Sequence, residues 1–247
     1  MRDRKLLISL AVFAIAVAAL QATAFTIRGN RTKTNEARFT VRIENISDAS
    51  GQIASNGTKW PFALSPGFWA VHEKDLSLFT PGRRAGADGL EAQAEDGNPS
   101  GFVKALMAHH TSTQNGVFNM PVGATAPGPI VPGGVFEFSF SAKPGMHLSF
   151  TTMFGQSNDL FYAPDRRGIA LFDASGVPIS GDVTSQIMLW DAGTEVNQEP
   201  GVGADQAPRQ KAPNTGMAEN KAVNLVKDKF TYPKTTSVMR VTITPAM

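Results

Sequence analysis

The sequence of 247 residues contains no cysteine. This absence excludes disulfide bonds, thiolate zinc sites, cysteine nucleophiles and the lipidated cysteine of an anchored precursor. The sequence also lacks the His-Glu-x-x-His motif of zinc hydrolases, the Gly-x-Ser-x-Gly turn of serine hydrolases, and the glycine-rich loops that bind phosphates or dinucleotides. The motifs that most directly identify an enzyme from sequence are therefore missing.

Only one long apolar run is present, from Leu6 to Leu20, and Ser9 is its one polar residue. It follows the charged residues 2–5 and precedes the small residues 22–24, which is the three-part pattern of a secretory signal peptide. A single membrane anchor is the alternative, but fifteen residues are fewer than the roughly 20 that a spanning helix needs. We therefore predict that residues 1–24 are a signal peptide.

The small positive charge of the chain belongs to this segment. Residues 1–24 contain three basic residues and one acidic residue, so the remaining 223 residues carry 20 of each and no net charge. Nucleic acid is therefore not an expected partner. An exported domain of this size without cysteine is typical of bacteria, so we expect a periplasmic or extracellular protein. The expected organisation is a signal peptide (1–24), a polar lead-in (25–37) and one domain (38–247).

Alternating residues indicate the fold class. The 23 glycines, 16 prolines and 42% hydrophobic residues favour a compact fold with many turns. Apolar and polar residues alternate with the period of a half-buried strand in four segments. Their apolar positions are Phe39, Val41 and Ile43; Phe136, Phe138 and Phe140; Leu148, Phe150 and Phe154; and Met239, Val241 and Ile243. We predict an all-β fold, an antiparallel β-sandwich.

Two segments depart from the alternating pattern. Residues 88–94 have helical composition, and residues 100–110 have apolar side chains at helical spacing after Asn98-Pro99, which resembles a capped helix start. We expect one or two short helices in connecting loops. Residues 198–219 are rich in Pro, Gly, Asn and Gln and are predicted to form a long surface loop.

Three acidic loops carry the residues that best suit a metal ion: 95–98, 157–159 and 191–197. Calcium takes about six to eight oxygen ligands at roughly 2.3–2.6 Å. Asp159 and Asp191 each follow a predicted strand, so the two loops could meet at one rim of the sandwich. Asp159, Asp191 and Glu195 would then share a cation. Without such a meeting they are turn-forming and solvated loop residues, which the local pattern alone favours.

The order of several motifs along the chain resembles the spondin domain family, across about residues 37–245. The most specific match is Asp191-Ala192-Gly193-Thr194-Glu195. The other matching segments are 39–45, 64–67 with His72, 89–91, 94–97, 157–161, 171–173, 189–190, Asn197, 200–201 and 238–243.

This resemblance implies a sandwich similar to C2 domains, with a divalent cation, expected to be calcium, held by loops at one end. Carried over by residue, Asp159, Asp191 and Glu195 are the implied carboxylate ligands, although animal members tend to have Asp where Glu195 stands. Animal members act in matrix adhesion and bind partner proteins or microbial surface molecules. This chain lacks their thrombospondin-type repeats and their disulfide cysteines.

Three functional hypotheses follow. The first is an exported, non-enzymatic module whose calcium orders rim loops for contact with a protein, glycan or lipid surface. The second is a metal-assisted hydrolase that uses the same carboxylates, with His72 or His110 as general base. The third is a structural envelope protein in which the cation contributes only stability. We expect the first, with no catalytic residues and no transmembrane span in the mature chain.

Overall fold

A computed structural model describes residues 36–73, 76–86, 88–109 and 113–246. The predicted signal peptide (1–24) and most of the predicted lead-in lie outside these ranges. Within the described ranges, no helix has the length and apolar character needed to cross a membrane.

The strands are short and numerous, as the turn-rich composition predicts. They are β1 (Ala37–Asn45), β2 (Gln52–Ile53), β3 (Lys59–Trp60), β4 (Leu64–His72), β5 (Gln114–Phe118), β6 (Val135–Ala142), β7 (His147–Phe154), β8 (Leu160–Ala163), β9 (Ile169–Ala170), β10 (Gly181–Asp182), β11 (Met188–Asp191), β12 (Asn224–Leu225) and β13 (Met239–Pro245). The helices of the described residues are α1 (Leu90–Asp96), α2 (Ser100–His109) and the single turn α3 (Thr235–Val238), and a 3-10 turn covers Thr184–Gln186.

The strands form two main antiparallel sheets. One has the order β10-β13-β1-β6, and the other has the order β12-β11-β8-β7-β4-β5 with β9 paired to β7. The β2–β3 hairpin is separate. Since both main sheets are antiparallel and pack face to face, the predicted antiparallel β-sandwich is confirmed.

The main hydrophobic core lies between the two sheets. The alternating residues of β1 and β13, such as Val41 and Ile243, are fully buried, as predicted. Aromatic side chains cross from one sheet to the other: Trp69 of β4 stacks on Phe138 of β6 with ring centroids 5.3 Å apart. The alternating residues of β7 face the same core. The two-residue period of the sequence therefore marks the inner faces of both sheets.

The helices α1 and α2 cover the outer face of the larger sheet. A second hydrophobic core lies between these helices and the sheet. In this core the ring of Phe102 of α2 stacks on the ring of Phe68 of β4, with centroids 5.3 Å apart. The predicted start of α2 is confirmed, because the Asn98 side chain accepts the backbone N–H of Ser100 at 3.1 Å. The predicted segment 88–94 is placed two residues too early, since α1 runs from Leu90 to Asp96.

The strand register defines two opposite ends of the larger sheet. Along the β4–β7 pair, Leu64 lies opposite Phe154 at one end, and His72 lies opposite His147 at the other. The seven-residue rise of β7 places these ends roughly 23 Å apart. The 157–159 loop follows the Phe154 end, so His72 and His147 lie at the end of the sheet opposite the predicted carboxylate ligands.

Candidate metal site

The loops that carry the predicted ligands meet at one end of the larger sheet. Strands β8 and β11 pair with Asp191 opposite Leu160, so Asp159 lies beside the loop that follows β11. The backbone N–H of Ala192 donates to the carbonyl of Asp159 at 3.2 Å. Tertiary pairing therefore joins the 157–159 and 191–197 loops at one end of the sandwich.

Asp159 is the centre of this rim and is completely buried. Its Oδ2 accepts the backbone N–H groups of Thr194 at 2.7 Å and Glu195 at 3.0 Å, together with the Thr194 hydroxyl at 3.1 Å. Its Oδ1 has no hydrogen-bond partner. One oxygen thus orders the 191–197 loop, and the other is left available for a ligand.

Asp191 lies at the same end but has a different environment. Its Oδ1 accepts the Gly193 N–H at 2.7 Å, and its Oδ2 accepts the Asn197 side-chain amide at 2.7 Å. Gly193 adopts the left-handed backbone conformation, with φ 68°, that this tight turn requires. Both carboxylate oxygens are therefore engaged in shaping the loop, as in an ordinary Asx turn.

Glu195 joins the rim to the long loop 198–219. Its Oε1 accepts the Gly216 N–H at 2.7 Å, and its Oε2 accepts the Asn158 side-chain amide at 3.3 Å. A Cβ at position 216 would overlap the Glu195 carboxylate, so this close approach needs glycine. The predicted surface loop is irregular, but this contact and the fully buried Gln206 show that it also packs inward.

Glu95 is the acidic residue that the sequence-based ligand set misses. It lies on the last turn of α1, is only 2% exposed, and neither carboxylate oxygen has a hydrogen-bond partner. The Thr194 hydroxyl lies beside Glu95 as well as Asp159, but it has one proton and donates it to Asp159. The available signal was the acidic segment 95–98, which sequence reasoning placed in a loop rather than at a helix end.

The electrostatics of the rim are unusual because buried carboxylates face one another. Burial, together with the negative charges of Glu195, Glu91 and Asp159, raises the pKa of Glu95 to about 7, against the lowering effect of the nearby Thr194 hydroxyl. Burial and the charge of Asp191 together raise the pKa of Asp159 to about 7. Burial raises the pKa of Asp191 and of Glu195 in the same direction. A bound cation would favour the ionised forms of all four groups.

Among the described residues, no Lys or Arg side chain lies within ion-pair distance of these carboxylates, although Lys221, whose pKa is raised mainly by its bond to Glu219, is near enough for the charge of Asp191 to raise that pKa as well. None of the ion pairs within the described residues involves Glu95, Asp159, Asp191 or Glu195. A cavity of about 140 Å³ lies directly beside the rim, and Thr194 and Glu195 form part of its wall together with Arg84, Glu91, Asn214 and Lys221. This volume has room for a few water molecules, each of which occupies about 30 Å³ in the liquid.

The fit to a metal ion is therefore partial. The unpaired oxygens of Glu95 and Asp159 are hard donors of the type that calcium prefers. Across the described ranges, however, no three His, Asp or Glu side chains are arranged so that they could hold one ion. The predicted trio of Asp159, Asp191 and Glu195 shares a rim without forming a ready coordination shell, because neighbouring loop groups already bind Asp191 and Glu195.

His72 and His147 do not join the rim. His72 is 3% exposed, and its Nε2 bonds the Ser149 hydroxyl at 2.8 Å while its Nδ1 bonds the Glu73 carbonyl. Although a serine–histidine pair can be nucleophilic, Ser149 is 4% exposed and Gly168 packs against its hydroxyl. His72 is therefore too far away to serve as the general base for a metal ion bound at the opposite end of the sheet. His110, the other base considered from sequence, lies outside the described residues.

No model of a known protein family matches the chain, and no curated protein matches it either. The geometry of the rim is therefore the basis for assigning a function.

Proposed function

We propose that this chain is an exported, non-enzymatic binding module of the spondin domain type, which uses a calcium ion to order the loops at one end of its sandwich. The partner would be a protein, glycan or lipid surface that contacts this end, in the periplasm or outside the cell. The sequence motifs that resemble the family and the antiparallel sandwich are consistent with this class.

The observation that carries the proposal is the free oxygen of Asp159. A buried acceptor without a partner costs about 1–3 kcal/mol of folding free energy, and the neighbouring unpaired carboxylate of Glu95 adds to that cost. A cation would satisfy these oxygens and remove the repulsion between the carboxylates. The metal-free rim is therefore a place where ion binding would release free energy.

Asp159, Asp191 and Glu195 are the residues proposed to hold the ion. Asp159 already presents a free oxygen, whereas Asp191 and Glu195 would each have to exchange a loop hydrogen bond for the metal. Water molecules and backbone carbonyls would complete the six to eight oxygens that calcium takes at roughly 2.3–2.6 Å. The ion would supply a fixed positive charge that links the 157–159 and 191–197 loops.

Thermal unfolding with calcium and with a chelator tests the proposal. Calcium at about 100 times its dissociation constant stabilises the folded state by about 2.7 kcal/mol. For a domain of this size that corresponds to roughly 5–10 °C in Tm. We expect Asp159→Asn to abolish the shift. The control is Asp173→Asn, since Asp173 accepts backbone N–H groups in an exposed turn after β9, which pairs with the His147 end of β7, away from the rim.

A wild-type protein whose Tm is the same in calcium and in chelator would overturn the calcium proposal. A shift that Asp173→Asn removes as fully as Asp159→Asn would show that the ion does not bind at the rim.

A further inference from the structure

We infer that Glu95 is a ligand of the rim cation, so that the ion ties helix α1 to the loop that follows β11. This inference rests on the proposed calcium site and extends it to a residue that the family resemblance does not supply. It also assigns the ion a second role, which is to hold the helical layer on the sandwich.

The position of Glu95 is set by the end of α1. Gly97 terminates the helix in the left-handed conformation, with φ 64°, and its N–H donates to the Gln93 carbonyl at 3.2 Å. Gln93 anchors the same turn, because its side-chain amide donates to the Pro66 carbonyl of β4 at 3.0 Å. Glu95 is thus held on a fixed turn rather than on a free loop.

The carboxylate of Glu95 faces inward. It is 2% exposed, while Glu91, one turn earlier on the same helix, is exposed to solvent. The Thr194 hydroxyl and the charges of Asp159 and Glu195 lie near it, and all three belong to the rim. The side chain is therefore directed at the rim from the helix side, opposite the loops that carry the other carboxylates.

Neither carboxylate oxygen of Glu95 has a hydrogen-bond partner, and this is the main observation behind the inference. A buried acidic side chain normally accepts hydrogen bonds or pairs with a cation. Glu95 does neither among the described residues, although Asp159 beside it accepts three hydrogen bonds. A divalent ion between Glu95 and the free Oδ1 of Asp159 would satisfy all three vacant oxygens together.

Such an ion would connect two layers of the molecule. The pair α1–α2 covers an apolar surface of the larger sheet that includes Phe68, Phe161 and Trp190. Coordination by Glu95 would fasten the last turn of α1 to the 191–197 loop. Calcium binding would then slow local opening of the helical layer and keep this surface covered.

The experiment measures calcium affinity by titration calorimetry for the wild type, Glu95→Gln and Glu73→Gln. Gln has the shape of Glu without its charge, and Glu73 is a matched control because it is exposed and lies next to His72, at the opposite end of the sheet. We expect Glu95→Gln to weaken calcium binding at least tenfold and Glu73→Gln to change it by less than threefold. In chelator, Glu95→Gln should unfold at the same or a higher temperature than the wild type, because an amide is less costly to bury than a carboxylate.

A second measurement keeps the inference testable if Glu95→Gln folds poorly. Calcium should slow hydrogen exchange of the backbone amides in residues 90–109 of the wild type, and the shorter Glu95→Asp variant should lose that protection together with most of its affinity.

The outcomes separate the two claims. If the wild type binds calcium and Glu95→Gln binds it equally well, the role of Glu95 is overturned while the calcium site stands. If binding is weakened but exchange in residues 90–109 does not respond to calcium in the wild type, the ion does not hold the helical layer. If the wild type does not bind calcium, both claims fall.

Discussion

Asp159 shows how one side chain can build a loop and still offer a ligand. Its Oδ2 accepts three hydrogen bonds from the 194–195 segment, so the loop after β11 is ordered before any ion binds. Its Oδ1 accepts none. The loop is therefore already ordered in the metal-free protein. The remaining cost in folding free energy comes from the carboxylate oxygens that have no hydrogen-bond partner.

Gly216 provides a test of the close packing around Glu195. In Gly216→Ala the added methyl group would overlap the Glu195 carboxylate and break the 2.7 Å hydrogen bond. We expect the free energy of unfolding, measured in urea, to fall by about 1–3 kcal/mol, and calcium binding to weaken.

The matched control is Gly128→Ala, since a Cβ at position 128 meets no atom within 4 Å. We expect that change to stay within about 0.5 kcal/mol of the wild type. An equal loss of stability in the two variants would count against tight packing at Glu195.

At the scale of the element, α2 is held by its buried side chains rather than by its helical propensity. A ten-residue helix is only marginally stable alone in water, and Phe102 inserts into the second core against Phe68. The periodicity of residues 100–110 predicts this helix correctly, but it cannot identify the sheet face that the helix covers.

Phe102→Ala should therefore destabilise the protein or release α2. Loss of a buried phenylalanine costs about 3–5 kcal/mol, and the free energy of unfolding in urea should fall by that amount. If α2 detaches on its own, hydrogen exchange of residues 100–109 should accelerate while the strands remain protected. Met107→Ala is the control, because Met107 is on the same helix and 68% exposed. Equal effects of both variants would contradict the packing role of Phe102.

For the whole molecule, the two ends of the sandwich respond to pH in opposite directions. At the rim, burial together with neighbouring negative charges raises the carboxyl pKa of Glu95 and of Asp159 to about 7. Without metal, their contribution to stability is present at low pH and is lost as pH rises from near 4 through 7. At the opposite end, burial lowers the pKa of His72, and the charge of His147 lowers it further. That contribution is present above pH 6.5 and is lost as pH falls below it.

His72→Gln isolates the histidine end. We expect the wild type in chelator to lose stability relative to the variant by up to about 1.4 kcal/mol per pH unit as pH falls below 6.5. Urea unfolding at intervals between pH 8 and pH 5 measures this difference. The variant itself should be less stable at pH 8, where His72 bonds Ser149. Parallel pH profiles for the two proteins would show that His72 does not titrate on unfolding.

The candidate site could be predicted from sequence only in part. The predicted strands before Asp159 and Asp191 made a common rim possible, but only the pairing of β8 with β11 places the two loops at the same end of the sheet. Glu95 could not be placed, because it precedes Asp159 by more than sixty residues and reaches it only when α1 packs on the sheet. The roles of Asp191 and Glu195 as loop-shaping acceptors depend on contacts with Asn197, Gly216 and Asn158.

The sequence by itself determined the class of the fold, because the two-residue period of strands such as β1 and β13 reflects local backbone geometry and the burial of one face. It also determined α2, through the Asn98-Pro99 start and the apolar spacing of residues 100–110. Only the tertiary structure decided which carboxylates are buried and unpaired, which are held by neighbouring loops, and which end of the sheet His72 and His147 occupy. Those properties arise from contacts between distant segments, and desolvation acts on a side chain only after those segments have packed together.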